Sequence, residues 1–164
     1  MRPLGATMAE RHFWDTCCWI DFVNEDGPKA PMHTLFTAVT KGSVALVFSP
    51  VIMAELLLQE PGASRPWLDP HPTDALFETE GLILIQIDRL IGERARSLRR
   101  AHKLSTPDAL HLACALEHNV DMFITRDDGI LLRLPPLLRR DGEELQIVPP
   151  ASAIGGPLFG GTTI

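Results

Sequence analysis

Apolar runs and amphipathic stretches alternate along this chain. Arg11–Asp15 is a short apolar run ending in an acid, and it predicts a first strand. Ser43–Phe48 is β-branched and continuously apolar, as expected of a strand buried on both faces. Leu82–Ile87 and Met122–Ile124 repeat that pattern. Leu145–Val148, stopped by Pro149 and Pro150, predicts an edge strand. Helical spacing fills the intervals. Thr16–Val23 follows the first strand, and Pro31–Lys41 carries Leu35, Phe36 and Val39 at helical spacing before Gly42 stops it. Ser49 and Pro50 open a helix over Val51–Glu60, with Glu55 in its second turn, and Thr73–Glu80 and Arg89–His102 are also helical. A further helix opens with Thr106 as N-cap, Pro107 at the first helical position and Asp108 in the first turn, where the helix dipole favours a carboxylate. Asn119 closes it. Pro61–Pro72 and Leu131–Arg140 are proline-containing and irregular. Strands alternating with helices predict an α/β fold with a mainly parallel central sheet.

At 164 residues and 45% apolar, the chain can bury one good core, so a single domain over residues 11–148 is expected. Residues 1–10 look like a loose leader, and residues 149–164, rich in Gly, Thr and Pro, like a flexible tail. No apolar run approaches a membrane span, and Met1–Glu10 lacks the basic-then-apolar order of a secretion signal. Cys17, Cys18 and Cys114 have no metal-type spacing and are expected to be reduced core thiols in a cytoplasmic protein. The net charge of −6 argues against broad electrostatic binding of nucleic acid. The cations are unevenly spread, however. Arg89, Arg94, Arg96, Arg99, Arg100 and Lys103 crowd one segment immediately before Asp108. Such a patch is either a solvated helix face or a surface for an anionic substrate.

The acids hold related positions. Asp15 ends the first strand, Glu55 lies in the helix after the second, Asp108 starts a helix and Asp127 follows a late strand. Parallel sheets gather ligands at the carboxyl ends of their strands, so these residues are expected to converge. Two carboxylates about 4 Å apart repel by roughly 4 kcal/mol at an effective dielectric of about 20. A cluster of them therefore needs protons or a cation, and Mg²⁺ or Mn²⁺ are the hard divalent ions that take oxygen ligands. Each acid also has a plain structural role open to it. Asp15 could cap the next helix, Asp108 could answer the helix dipole, Glu55 could be an exposed helix residue, and Asp127 and Asp128 could be turn residues before Gly129.

Asp15-Thr16, the segment Ser49-Pro50-Val51-Ile52-Met53-Ala54-Glu55-Leu56, the segment Thr106-Pro107-Asp108-Ala109-Leu110-His111-Leu112-Ala113, and Phe123-Ile124-Thr125-Arg126-Asp127 together resemble the PIN-domain family. The chain is most similar to the VapC-like toxins of bacterial toxin–antitoxin pairs. The resemblance implies a three-layer fold with helices on both faces of the sheet. It implies an acidic pocket that binds Mg²⁺ or Mn²⁺ and an endoribonuclease that hydrolyses single-stranded RNA. It also implies a homodimer and a neutralising antitoxin protein. By position, Asp15, Glu55, Asp108 and Asp127 match the family's catalytic, metal-binding acids, Thr125 matches its threonine near the pocket, and Asp128 is a secondary contact. Arg96, Arg99, Arg100 and Lys103 are expected to contact flanking RNA phosphates.

Other readings compete with this one. A PIN-like module could bind RNA or protein without cutting. A haloacid-dehalogenase-like phosphatase would need Asp-x-Asp at the first strand, where this chain has Cys17 in the second acid's place. A receiver-like signalling domain would need a late-strand lysine that is missing from its expected place. His111 and His118 sit on the helix that Asp108 starts, and either could be a ligand, although a helix-face histidine is more often structural or solvated; Trp14, Trp19 and Trp67 are expected to be core or interface residues.

Overall fold

The computed structural model describes residues 8–24, 30–56 and 74–159 of the 164-residue chain. The strands are β1 (Glu10–Trp14), β2 (Val44–Phe48), β3 (Leu82–Leu84), β4 (Met122–Ile124) and β5 (Gln146–Val148). They form one five-stranded sheet in the order β3-β2-β1-β4-β5, and every pairing is parallel. Parallel neighbours need crossovers. Helices α1 (Thr16–Asn24), α2 (Pro31–Thr40), α3 (Pro50–Glu55), α4 (Asp74–Phe77), α5 (Arg89–His102) and α6 (Thr106–Glu117) lie in those between β1 and β4, the 3-10 turn Leu131–Arg133 lies between β4 and β5, and α7 (Pro150–Ile154) follows β5.

Alternation along β1 divides the helices into two layers. Phe13 and Trp14 are both fully buried but point to opposite faces, as adjacent strand residues must. Phe13 stacks on Phe123 of β4 and meets His111 of α6, at centroid separations of 5.5 and 5.6 Å. Trp14 meets Trp19 of α1 at 5.2 Å and Phe36 of α2 at 6.3 Å. The central strands β1, β2 and β4 are therefore covered on both sides, which is why they lack polar alternation, whereas the edge strand β3 leaves Ile83 and Leu84 exposed. This is the expected three-layer α/β arrangement. Helix α6 is buried around most of its circumference, from Ala109 to Leu116 with only Leu110 half-buried. A helix so apolar all round belongs in the interior, and α5 packs along it.

Several boundaries differ from the sequence reading. The N-cap of α6 is Ser105, not Thr106: its Oγ accepts from the Asp108 N–H at 3.2 Å and donates to Asp108 Oδ2 at 2.7 Å. Pro107 is thereby the second helical residue. At the other end His118 is the C-cap, and Asn119 takes the left-handed conformation with φ 51° one residue later. The strand expected over Leu82–Ile87 stops at Leu84, because Ile85 is the last residue to bond back to β2, through Phe48 O. The tail is not uniformly loose. Pro150–Ile154 forms α7, which packs on α2 and buries Ala153. The second half of the helix expected over Val51–Glu60, the Pro61–Pro72 loop, Trp67, residues 1–7 of the leader and residues 160–164 of the tail lie outside the described residues.

The cap assignment is testable. Ser105→Ala should destabilise the protein by about 1 kcal/mol, whereas Thr106→Ala should stay within about 0.5 kcal/mol of wild type. Urea denaturation followed by circular dichroism separates the two. Equal effects, or a larger one at Thr106, would contradict the assignment.

Candidate active site

The carboxyl ends of β1 and β4 lie side by side in the centre of the sheet. The chain leaves β1 toward β2 on one side and returns through β4 on the other. A crevice opens at such a reversal of strand order. Here it is a pocket of about 360 Å³ lined by Asp15, Thr16, Cys17, Glu55, Asp108, His111, Arg126 and Asp127. The structure thus brings together the acids expected from the sequence: Asp15 directly after β1, Glu55 from the end of α3, Asp108 from the first turn of α6 and Asp127 from the turn after β4.

Each carboxylate is held by nearby donors. Asp15 is buried, and its Oδ2 accepts from the Thr125 hydroxyl at 2.8 Å while its Oδ1 accepts from the Thr16 N–H at 2.8 Å. Glu55 Oε2 accepts from the Thr16 hydroxyl and lies 2.9 Å from His111 Nε2. Asp108 is tied to Ser105. Asp127 Oδ1 accepts from the N–H groups of Gly129 and Ile130 at 3.1 and 2.9 Å, so Asp127 is also the turn residue the sequence allowed. Thr125 sits beneath the pocket, fully buried, where its hydroxyl bonds Asp15 and accepts from the Asp127 N–H at 3.0 Å. Asp128 is exposed and does not line the pocket, because the turn after Thr125 directs it outward.

Two of these acids titrate in opposite directions. The His111 hydrogen bond, with help from Thr16, holds the Glu55 carboxyl below its ordinary value against the opposing effect of burial. Burial pushes the Asp108 carboxyl up, and the charges of Asp15 and Asp127 add to it against the Ser105 bond. Negative charge is therefore concentrated here. The donor set is anionic oxygen with a hydroxyl beside it, which suits a hard divalent cation. Among the described residues, no three His, Cys, Asp or Glu side chains stand close enough together to hold a metal ion as they are.

Sequence reasoning missed three features of the wall. His111, for which a ligand role was open but a structural or solvated one expected more often, is buried and faces the pocket; its place three residues after Asp108, one turn along the same helix, was the available signal. Arg126 lines the pocket and pairs with Asp21 of α1. Cys17 lines it too, its thiol brought down to about 7 by the Cys18 hydrogen bond against burial. The other two thiols are buried as expected, and all three are free. Arg96, Arg99, Arg100 and Lys103 do not reach this pocket. They line a separate groove of about 590 Å³ between α5 and α6, floored by Ala95, Leu104 and Leu110. Thr106 lines that groove and Asp108 lines the pocket, so the two openings flank the first turn of α6.

An all-parallel sheet carrying acids at the carboxyl ends of its central strands defines the class of α/β proteins with an acidic crevice. The sequence profile of the PIN domain matches residues 13–135, which span the whole pocket, and the chain belongs to the PIN-domain family. No curated protein sequence is significantly similar to it. Among solved structures it is similar to a toxin–antitoxin complex from Klebsiella pneumoniae, with TM-score 0.57 and 23% identity over 76% of this chain and 92% of that one. It is also similar to VapBC2 from Rickettsia felis bound to a DNA fragment from its promoter, with TM-score 0.61 and 14% identity over 84% of this chain and 98% of that one. At these identities the likeness establishes the fold. Among the described residues, no helix is long and apolar enough to cross a membrane.

The opposed titrations give a stability prediction in metal-free buffer. Glu55 has a lowered folded pKa, so its contribution is present above the ordinary glutamate value of about 4.3 and is lost as pH falls through the folded value. Asp108 has a raised folded pKa, so stability falls as pH rises from the ordinary aspartate value of about 3.9 through the folded one. Glu55→Gln should therefore melt below wild type at neutral pH, and Asp108→Asn above it. Both differences should shrink toward pH 3. Melting curves at a series of pH values check this, and two shifts of the same sign would contradict it.

Proposed function

We propose that this PIN domain is a divalent-cation-dependent endoribonuclease, the toxin of a toxin–antitoxin pair, that hydrolyses phosphodiester bonds of single-stranded RNA. The observation that carries the reading is the meeting of Asp15, Glu55, Asp108 and Asp127 in one pocket from four separate elements. Carboxylates that repel one another are brought together where a cation is to be held. Supporting context comes from the solved relatives, which are toxin–antitoxin complexes.

In this reading the four acids supply oxygen ligands to Mg²⁺ or Mn²⁺. When bound, such an ion lowers the pKa of water and offsets phosphate charge. The chain's own groups do the rest. Thr125 and Thr16 fix Asp15 and Glu55 so that both carboxylates meet the substrate already oriented. Arg126 at the pocket wall offers a planar donor for a phosphate oxygen. Arg96, Arg99, Arg100 and Lys103 hold flanking phosphates of the RNA in the adjoining groove. Among the described residues Arg96, Arg100 and Lys103 have no ion-pair partner, which leaves them available. We also assign the protein a cytoplasmic location, a homodimeric state and an antitoxin that blocks the pocket.

The alternative is a PIN domain that binds RNA or protein without cutting. One experiment separates the two. Purified protein is incubated with a mixed-sequence single-stranded RNA, with Mn²⁺, with Mg²⁺ and with EDTA. Cleavage should require the cation and should fall by about 100-fold or more in Asp108→Asn. Cleavage that persists in EDTA or in the folded variant would overturn the nuclease assignment. RNA retention without cleavage would favour the binding module.

A further inference from the structure

His111 has a feature that packing alone does not explain. It is 1% exposed, in the middle of α6, with its ring against Phe13. A fully buried polar ring normally has both nitrogens satisfied. Among the described residues only Nε2 is used. It lies 2.9 Å from Glu55 Oε2 and 3.2 Å from Thr16 Oγ1, while Nδ1 is buried with no partner among them. Glu55 is ionised and can only accept, so Nε2 carries the hydrogen. The Thr16 hydroxyl donates to the same oxygen. Both described bonds fall on Oε2, and neither uses Oε1. An apolar side chain would fill this site without stranding a nitrogen. The ring is therefore placed for what Nε2 reaches in the pocket, Glu55 and Thr16.

We infer that His111 is a positioning residue for the acidic pocket: its Nε2–H, with the Thr16 hydroxyl, holds Glu55 by Oε2 and presents Oε1 to the cation. The inference rests on the proposed reading of the pocket as a cation site. Donors behind a ligating carboxylate fix its orientation, and removing such a partner commonly weakens metal affinity about 10–100-fold. His111 touches neither substrate nor cation in this scheme. It acts through Glu55.

The test uses the full chain and Mn²⁺ alone as probe. Mn²⁺ is titrated into wild type, His111→Leu, His111→Gln and Glu55→Gln, with binding read by calorimetry and by the electron spin resonance of the free ion. Glutamine is the conservative variant because its amide nitrogen can reach the place of Nε2 and donate one hydrogen. His111→Leu should raise the Mn²⁺ dissociation constant about 10–100-fold, and His111→Gln should restore most of it. Melting curves without metal serve as the control, since a purely structural role would move stability and leave affinity alone. Wild-type Mn²⁺ affinity in folded His111→Leu would overturn the inference, as would failure of folded His111→Gln to recover any affinity. Glu55→Gln should bind as weakly as His111→Leu or more weakly. A wild type that binds no Mn²⁺ would instead overturn the cation reading of the pocket, and this inference with it.

Discussion

Like charge gathered in one place is the constraint on which this structure depends. Asp15, Glu55, Asp108 and Asp127 share one pocket, and repulsion among them is a standing cost of the fold. The hydrogen bonds around the pocket answer it. Thr125 and the Thr16 N–H hold Asp15, the Thr16 hydroxyl and His111 hold Glu55, Ser105 holds Asp108, and two backbone amides hold Asp127. Thr16 serves two acids, through its N–H and its hydroxyl. The balance is uneven. Glu55 is better stabilised as an anion than an ordinary glutamate, and Asp108 worse than an ordinary aspartate. Keeping Asp108 beside Asp15 and Asp127 is a cost to the fold.

The parts that present the acids are rigid. Asp15 follows directly on β1, the central strand, whose Phe13 and Trp14 are locked into opposite layers by aromatic contacts. Asp108 and His111 ride on α6, a helix buried on nearly every side. Because α6 has a defined cap at Ser105, the axial position of Asp108 is set by a local hydrogen bond as well as by packing. Tying the pocket's side chains to such elements leaves little conformational freedom to lose when a ligand binds.

The charge distribution follows the same division of labour. The chain is acidic overall, with net charge −6, yet its cations concentrate on α5 beside the acidic pocket. Arg89 and Arg94 are drawn into ion pairs with Glu93 and Glu117. Among the described residues, those facing the groove make no ion pair, and Arg99 donates to the Leu104 carbonyl. A basic groove next to an acidic pocket separates the attraction of a polyanion from the place where a cation would offset its charge.

The order of elements, the parallel sheet and the acids of the pocket could be read along the chain, because these depend on local signals: apolar runs, prolines and caps, and acids at element ends. Asp15, Glu55, Asp108 and Asp127 were legible for that reason. Residue-level detail was less so. Ser105 and Thr106 are both good caps, and only backbone geometry chose between them. The helix at Pro150–Ile154 was hidden because five residues have no stable helix of their own and this one depends on its contact with α2. His111 looked like any helix-face histidine until β1, α1 and α3 were assembled around α6. Its bonds to Glu55 and Thr16 span 56 and 95 residues of sequence. Contacts at such separations leave no periodicity to read, so the partners of the pocket's side chains were decided by the tertiary structure alone.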